Sequence, residues 1–217
     1  MSGGVPQGLR ERKKRATRDA IAATARRLFA QRGFDAVTVA EIAVAADVSE
    51  KTVFNHFATK EDLVFAGGEA RLAQLQADIA NRPAGTSVLD VFRANTEAML
   101  DTVAAGETDD SLVVPRIVRD SPALQERLAV GWAREADTLV AAVAEATGAD
   151  DDDLVPAIVA RTLAWTLITI FRATFDGLLA GDDPAALAIR MRPHAARAYD
   201  QLAAGLGEYG VAGTAGA

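Results

Sequence analysis

The stretch Thr38-Val39-Ala40-Glu41-Ile42-Ala43-Val44-Ala45-Ala46-Asp47-Val48-Ser49-Glu50-Lys51-Thr52-Val53-Phe54-Asn55-His56-Phe57 decides the fold. Thr38 with Glu41 three residues on is a capping box, which satisfies free backbone N–H groups at a helix start. The short helix it opens turns Val39, Ile42, Ala43 and Ala46 inward. Asp47-Val48 breaks it. Ser49 then caps a second short helix, Glu50 to about His56, with Val53 and Phe57 toward the core and Glu50, Lys51, Thr52, Asn55 and His56 available outside. Two short helices joined by a tight turn, the second with a polar outer face, make a helix-turn-helix.

Outward from this motif the chain continues as helices. Upstream, about Thr17 to Arg32 carries Ile21, Ala25, Leu28 and Phe29 on one face, and Gly33 stops it so that Phe34 packs back on the last turn. Downstream, Thr59 caps a helix running to about Asn81. Gly67-Gly68 weakens its middle by about 1 kcal/mol per Gly relative to Ala. Beyond Pro83-Ala84-Gly85 the pattern predicts helices over 87–105, 111–119, 122–147, 154–180 and 184–206. Ser121-Pro122 and Asp183-Pro184 place a cap before a proline at the first helical position. Pro193 is expected to kink the last helix. The fold class is therefore all-α: a three-helix N-terminal helix-turn-helix domain followed by a larger helical domain. The expected division is a basic flexible arm over 1–14, the helix-turn-helix domain over 15–63, the larger domain over 64–206 and a flexible Gly/Ala-rich tail over 207–217.

Composition narrows the function. The 217 residues carry 23 Lys+Arg against 30 Asp+Glu, 2 His and 0 Cys. Without cysteine there is no disulfide, thiolate nucleophile or Cys-based metal site, and two histidines exclude a His-rich one. No metal and no cofactor is expected. The net charge of −7 is unevenly spread. Nine cations in the first 33 residues face only Glu11 and Asp19, a balance of +7, which leaves −14 for the remainder. One end suits a polyanion and the other keeps the chain soluble, although a solvated basic tail has the same charge. No apolar stretch of signal-peptide length follows the basic start, and Leu163–Phe171 is too short to span a bilayer, so a cytoplasmic protein with no membrane partner is expected. The run Asp150–Asp153 reads as a solvated loop in which one residue caps the next helix, since four adjacent acids cannot all face one cation.

Residues from about Arg15 to Phe65 resemble the DNA-binding domain of the tetracycline-repressor (TetR) family. The match is carried by Phe29-Ala30-Gln31-Arg32-Gly33-Phe34, Thr38 to Ala43, Ala46-Asp47-Val48-Ser49, Thr52 to Phe57 and Lys60-Glu61-Asp62-Leu63. The resemblance implies a homodimer that places one reading helix per protomer in a major groove, on half-sites of a roughly palindromic double-stranded DNA operator. Thr38 and Lys60 would then bind phosphates, and Ser49, Glu50, Lys51, Thr52, Asn55 and His56 would face the DNA. Lys51 suits guanine and Asn55 suits adenine. Arg15, with Arg12, Lys13, Lys14 and Arg18, would follow a minor groove or the backbone. Four positions depart from the family pattern. Asp47 stands where the family usually has Gly, Lys51 where Gly is frequent, and Phe54-Asn55 where a tyrosine pair is common. The first of those tyrosines usually gives its hydroxyl to a phosphate, which Phe54 lacks.

The resemblance further implies that the second domain encloses a small-molecule effector site, that effector binding tilts the helix beginning at Thr59 and releases the operator, and that the last two helices pair with their copies. Effector-site candidates are Phe92, Met99, Trp132, Trp165, Thr169 and Phe175, any of which can equally be core. Arg116 and Arg119 are expected in ordinary ion pairs. Candidates for the dimer face are Leu163, Leu167, Ile170, Leu178, Ile189 and Tyr199. The expected protein is a DNA-binding regulator, a repressor rather than an enzyme. A helical enzyme or a scaffold dimer not acting on DNA are the alternatives. The first has few candidate groups for chemistry and the second leaves the punctuated short helices unexplained.

Overall fold

The computed structural model describes residues 8–107, 109–206 and 211, and no strand occurs among them. In chain order the helices are α1 (Leu9–Arg32), α2 (Val39–Ala45), α3 (Glu50–His56), α4 (Lys60–Val64), α5 (Gly68–Ala80), α6 (Val88–Ala104), α7 (Asp109–Arg119), α8 (Pro122–Thr147), α9 (Val155–Ala180) and α10 (Pro184–Leu206). They group into two compact units. One holds the described residues through Gly68 together with Val113–Gln125, and the other holds Glu69–Leu112 with the described residues from Glu126 onward. The expected boundary at 63 thus moves to 68, and the segment 113–125 groups with the first unit instead of the second.

The core of the first unit is Ile21, Ala25 and Phe29 of α1, Ile42 and Ala43 of α2, Val53 of α3, and Val37, Phe57, Leu63 and Val64, all buried. Fully burying a side chain of this kind contributes roughly 1.5–3 kcal/mol, which is what short helices need because alone they are unstable in water. Phe34 packs back on Phe29 with ring centroids 5.1 Å apart. Helix α1 starts at Leu9 and not near Thr17, so Arg10 to Arg15 form its opening turns in place of a loose arm over 8–14. Leu, Arg, Glu and Lys all favour helix, and no glycine or proline between Leu9 and Thr17 stops propagation. Residues 1–7 of the expected arm and all of the expected tail except Val211 lie outside the described residues.

The helix expected from Thr59 to Asn81 is two helices. Gly67 has φ +99°, which a right-handed helix does not contain, and α5 restarts at Gly68. The guanidinium of Arg26 donates to the Ala66 carbonyl at 3.0 Å, satisfying a backbone acceptor that the break frees.

In the second unit α6, α9 and α10 pack together. Phe92, Leu100, Leu163, Ala160 and Tyr199 sit in one buried cluster, and Val103, Phe175, Leu178 and Leu187 in another. The Tyr199 hydroxyl shares a hydrogen bond with Thr96 Oγ1 at 2.8 Å, and Thr96 also donates to the Phe92 carbonyl. Around this core Arg93 pairs with Asp200 at 2.9 Å, and Arg192 of α10 reaches both Glu97 and Asp101 of α6. Helices α9 and α10 approach closely at Gly177, where a Cβ would stand 3.0 Å from both Leu187 Cδ1 and Asp182 Oδ2. By length and composition α9 meets the requirements of a membrane span, but one face of it, with Val159, Leu163, Leu167 and Ile170, forms the unit's own core.

Two of the expected caps form ahead of the long helices. Asp183 accepts from the Ala186 N–H at 2.9 Å ahead of Pro184, and Asp153 accepts from the Val155 N–H at 2.8 Å, so the acidic run is an exposed loop with one capping member. No group of His, Cys, Asp or Glu that could hold a metal occurs among the described residues. Helix α10 continues through Pro193 to Leu206.

Candidate DNA-binding interface

The capping box at the start of α2 is complete and extends further than the sequence spacing shows. Thr38 N–H and Oγ1 both donate to Glu41 Oε2, at 2.8 and 2.9 Å, and Glu41 N–H donates back to Thr38 Oγ1 at 3.2 Å. The second oxygen of Glu41 takes a hydrogen bond from Arg32 at 2.7 Å, and the same guanidinium nitrogen donates to the Ala36 carbonyl. The Thr38 backbone N–H, then the Arg32 guanidinium and the Thr38 hydroxyl, hold the Glu41 carboxyl down at about 2 against an ordinary 4.5. This contribution to the native state is present above pH 4.5 and is lost as pH falls toward 2. The role of Arg32 has a weak sequence signal: a basic residue closing α1 and a capping-box Glu with a spare oxygen.

After α2 the chain turns on Asp47, whose φ of +54° makes it the one described non-glycine residue in the left-handed region. Asp47 N–H donates to the Val44 carbonyl at 3.2 Å and Val48 N–H to the Ala43 carbonyl at 3.0 Å. That bond pair is a Schellman motif, which a glycine ordinarily closes. Aspartate tolerates the left-handed conformation better than most side chains do. Helix α3 then begins on Ser49, whose Oγ accepts from the Thr52 N–H at 3.1 Å and lies 2.8 Å from Thr52 Oγ1.

With α3 oriented by Val53 and Phe57, the predicted contacts separate into groups. Glu50, Lys51 and Asn55 are exposed and have no hydrogen-bond or ion-pair partner among the described residues. Lys51 and Asn55, one turn apart, project on the same side. Ser49 and Thr52 occupy each other as a cap. His56 is half-buried, with its Nδ1 shielded and unpaired, so it faces the protein more than the groove its sequence position suggested. Thr38 has already given its hydroxyl proton to Glu41, and a hydroxyl has only one to give. A phosphate there must compete for it. The Lys60 ammonium lies 4.3 Å from the centroid of the Phe34 ring and 5.7 Å from that of Phe29, held by cation–π attraction at the rim of the core. Arg15 is exposed on α1 alongside Arg10, Arg12, Lys13 and Lys14, and Arg18 lies over the Phe57 ring at 5.0 Å.

The candidates of the second unit are not brought together. Phe92 and Phe175 are buried in different clusters, with Met99 packed against both. Trp132 is half-buried, with the Arg172 guanidinium 5.8 Å from its ring centroid. Trp165 is 44% exposed, and Thr169, also exposed, donates back to the Trp165 carbonyl at 2.7 Å. A small cleft between α5, α8 and α9, bordered by Leu75, Leu139, Leu167 and the Arg71–Glu135 ion pair, measures about 20 Å³, the room of one water. Arg119 pairs with Asp120 at 3.3 Å, as expected of an ordinary surface cation.

The dimer-face candidates need correction. Leu163, Leu167, Ile170, Leu178 and Tyr199 are buried against their own chain, and of the six only Ile189, 71% exposed, points outward. Periodicity identified a stripe on α9 but did not say which side of the helix the protein itself covers. The outer side carries Ile158, 60% exposed, and Trp165.

The interface geometry agrees with what the chain is similar to. Residues 21–66 match the sequence model described as bacterial regulatory proteins, tetR family. The HTH-type transcriptional regulator TcmR of Streptomyces glaucescens is 34% identical over 159 residues, 69% of each chain. Among solved structures, native NalD, the secondary repressor of the MexAB-OprM multidrug efflux pump in Pseudomonas aeruginosa, aligns with a TM-score of 0.57 at 19% identity, over 86% of this chain and 96% of its own. GusR of Salmonella enterica aligns with a TM-score of 0.54 at 22% identity, over 88% and 96%. The two structures share the fold; TcmR carries the kinship, and the chain belongs to the TetR family of DNA-binding bacterial transcriptional regulators.

Proposed function

We propose that the protein is a ligand-responsive repressor that binds a palindromic operator as a homodimer in the cytoplasm. The observation that carries this reading is the set Glu50, Lys51 and Asn55, exposed and without a partner among the described residues, on a capped, core-anchored α3, in a chain whose first 33 residues have a balance of +7. Lys51 donates to guanine and Asn55 pairs with adenine in the major groove, while Lys60 and the cations of α1 follow the phosphates. The two protomers join through the outer sides of α9 and α10, where Ile158, Trp165 and Ile189 leave large apolar surface exposed. The effector binds in the second unit, with Met99 and Trp132, both partly buried, as its contacts. The coupling is reciprocal: operator weakens effector by the factor by which effector weakens operator, typically ~5–150-fold.

Selecting binding sites from random duplexes with the purified protein, then measuring the affinity of the winner at two salt concentrations, tests this reading. A palindromic winner whose affinity falls steeply with salt is expected. Lys60→Ala then weakens all duplexes about equally, whereas Lys51→Ala and Asn55→Ala change which sequences are preferred. Absence of any sequence preference, even at low salt, overturns the reading.

A further inference from the structure

Phe54 stands apart on α3. It is 52% exposed, and the buried residues of its neighbourhood are Val53 and Phe57 on either side of it in sequence. Phe54 lies four residues after Glu50 and three after Lys51, and it adjoins Asn55, so it belongs to the same outward ridge as the groups proposed to read bases. The half of this ring that faces water on that ridge gains nothing from the fold of the chain that carries it. It gains free energy only when a partner covers it.

Phosphates and sugar hydroxyls offer an apolar ring no directional bond, and Phe54 has no hydroxyl to give one. Wedging between base steps is a device of minor-groove binders, whereas this helix suits the major groove. There the one apolar group among the base edges is the C5 methyl of thymine. We propose that Phe54 is a specificity-determining residue that packs against a thymine methyl within each half-site, next to the bases met by Lys51 and Asn55. The inference rests on the operator-binding reading above and adds a base that hydrogen-bond donors and acceptors on α3 do not predict. Val44, also exposed, lies on α2, the helix that crosses the backbone in this motif, where no methyl is presented.

The test replaces each thymine of the selected operator, one at a time, by deoxyuridine, which removes the methyl and keeps every hydrogen-bonding atom. Affinities are measured for the full chain and for Phe54→Ala. One thymine per half-site is expected whose demethylation weakens the unaltered protein about fourfold, the worth of one buried methyl, and leaves Phe54→Ala unchanged. A second measurement needs no variant: at that position 5-methylcytosine should bind better than cytosine by a similar factor. If the operator is bound selectively but no thymine methyl matters, or if demethylation weakens both proteins alike, the assignment of Phe54 is wrong while the operator reading stands. If Phe54→Ala weakens every duplex equally, the ring packs on the backbone and the assignment is likewise wrong. If no duplex is selected at all, both fail together.

Discussion

The two units of this chain use their apolar residues in opposite ways. In the first, helices of five to seven residues are each opened by a hydroxyl cap, at Thr38, Ser49 and Thr59, and each turns one or two side chains inward. Their orientation follows almost completely from those few positions. In the second, α8 and α9 run for 26 residues each, and apolar side chains occur on more than one side. Leu163 and Trp165 are two positions apart on α9, yet one is fully buried and the other nearly half exposed. Punctuation tells a reader where a short helix points. Length and composition alone do not tell which side of a long one meets solvent, core or partner.

The sharpest way to break this comparison is Leu163→Ala. A buried leucine deleted to alanine costs about 2–5 kcal/mol, depending on how far the cavity collapses. Chemical denaturation should show a loss of that size, and the loss should not depend on protein concentration, since the residue belongs to the core of its own chain. A concentration-dependent loss would return Leu163 to the dimer face and reverse the assignment of the two sides of α9. Ile158→Asp is its counterpart and should weaken self-association without that loss of folding stability.

Those two positions also mark how much was legible beforehand. The helix-turn-helix, its caps, the core placement of Val53 and Phe57, and the outward placement of Lys51 and Asn55 all follow from local rules acting over three or four residues. What local rules omit is competition. Thr38 and Ser49 each carry two expectations, a cap and a DNA contact, and spacing alone does not say that the capping partner three residues on already occupies the hydroxyl. Gly67 similarly turned a weakened helix into two, because the sequence shows that a glycine tolerates a helix poorly without showing whether Arg26 waits to support the break. In the second unit the choice between core and surface is made by contacts more than ninety residues apart in sequence, such as Thr96 with Tyr199, and no window along the chain contains both.

Tyr199 sharpens the comparison with a smaller effect. Burial, opposed by the Thr96 hydrogen bond and the Arg93 charge, pushes its phenol above the ordinary 10. Its contribution is therefore complete below pH 10 and is lost as pH rises through the folded-state value, because ionising the phenol in the core is unfavourable. Tyr199→Phe removes the shared hydrogen bond and should cost roughly 0.5–1.5 kcal/mol, with Thr96 retaining its bond to the Phe92 carbonyl. It should also make denaturation midpoints above pH 10 less sensitive to pH. A Phe variant as stable as the parent, with the same alkaline sensitivity, would show that the hydroxyl is not held where α6 and α10 meet.

The smallest effect tests the punctuation of the first unit at its one departure from regular chemistry. Asp47 is held at φ +54° by two backbone hydrogen bonds that close α2, a conformation costing most L-residues roughly 1–2 kcal/mol and aspartate less. Glycine enters it without strain but loses more conformational freedom on folding, by roughly 0.5–1 kcal/mol. Asp47→Gly should therefore stabilise the first unit by only a few tenths of a kcal/mol, whereas Asp47→Ala, which has a Cβ and no polar side chain to bond locally, should destabilise it by about 1 kcal/mol. The order Gly above Asp above Ala in thermal or chemical denaturation is the discriminating result, since it follows from backbone conformation alone. If alanine proves as stable as aspartate, the turn is not held in the left-handed region, and the orientation of α3 that puts Lys51, Phe54 and Asn55 on one outward ridge loses its support.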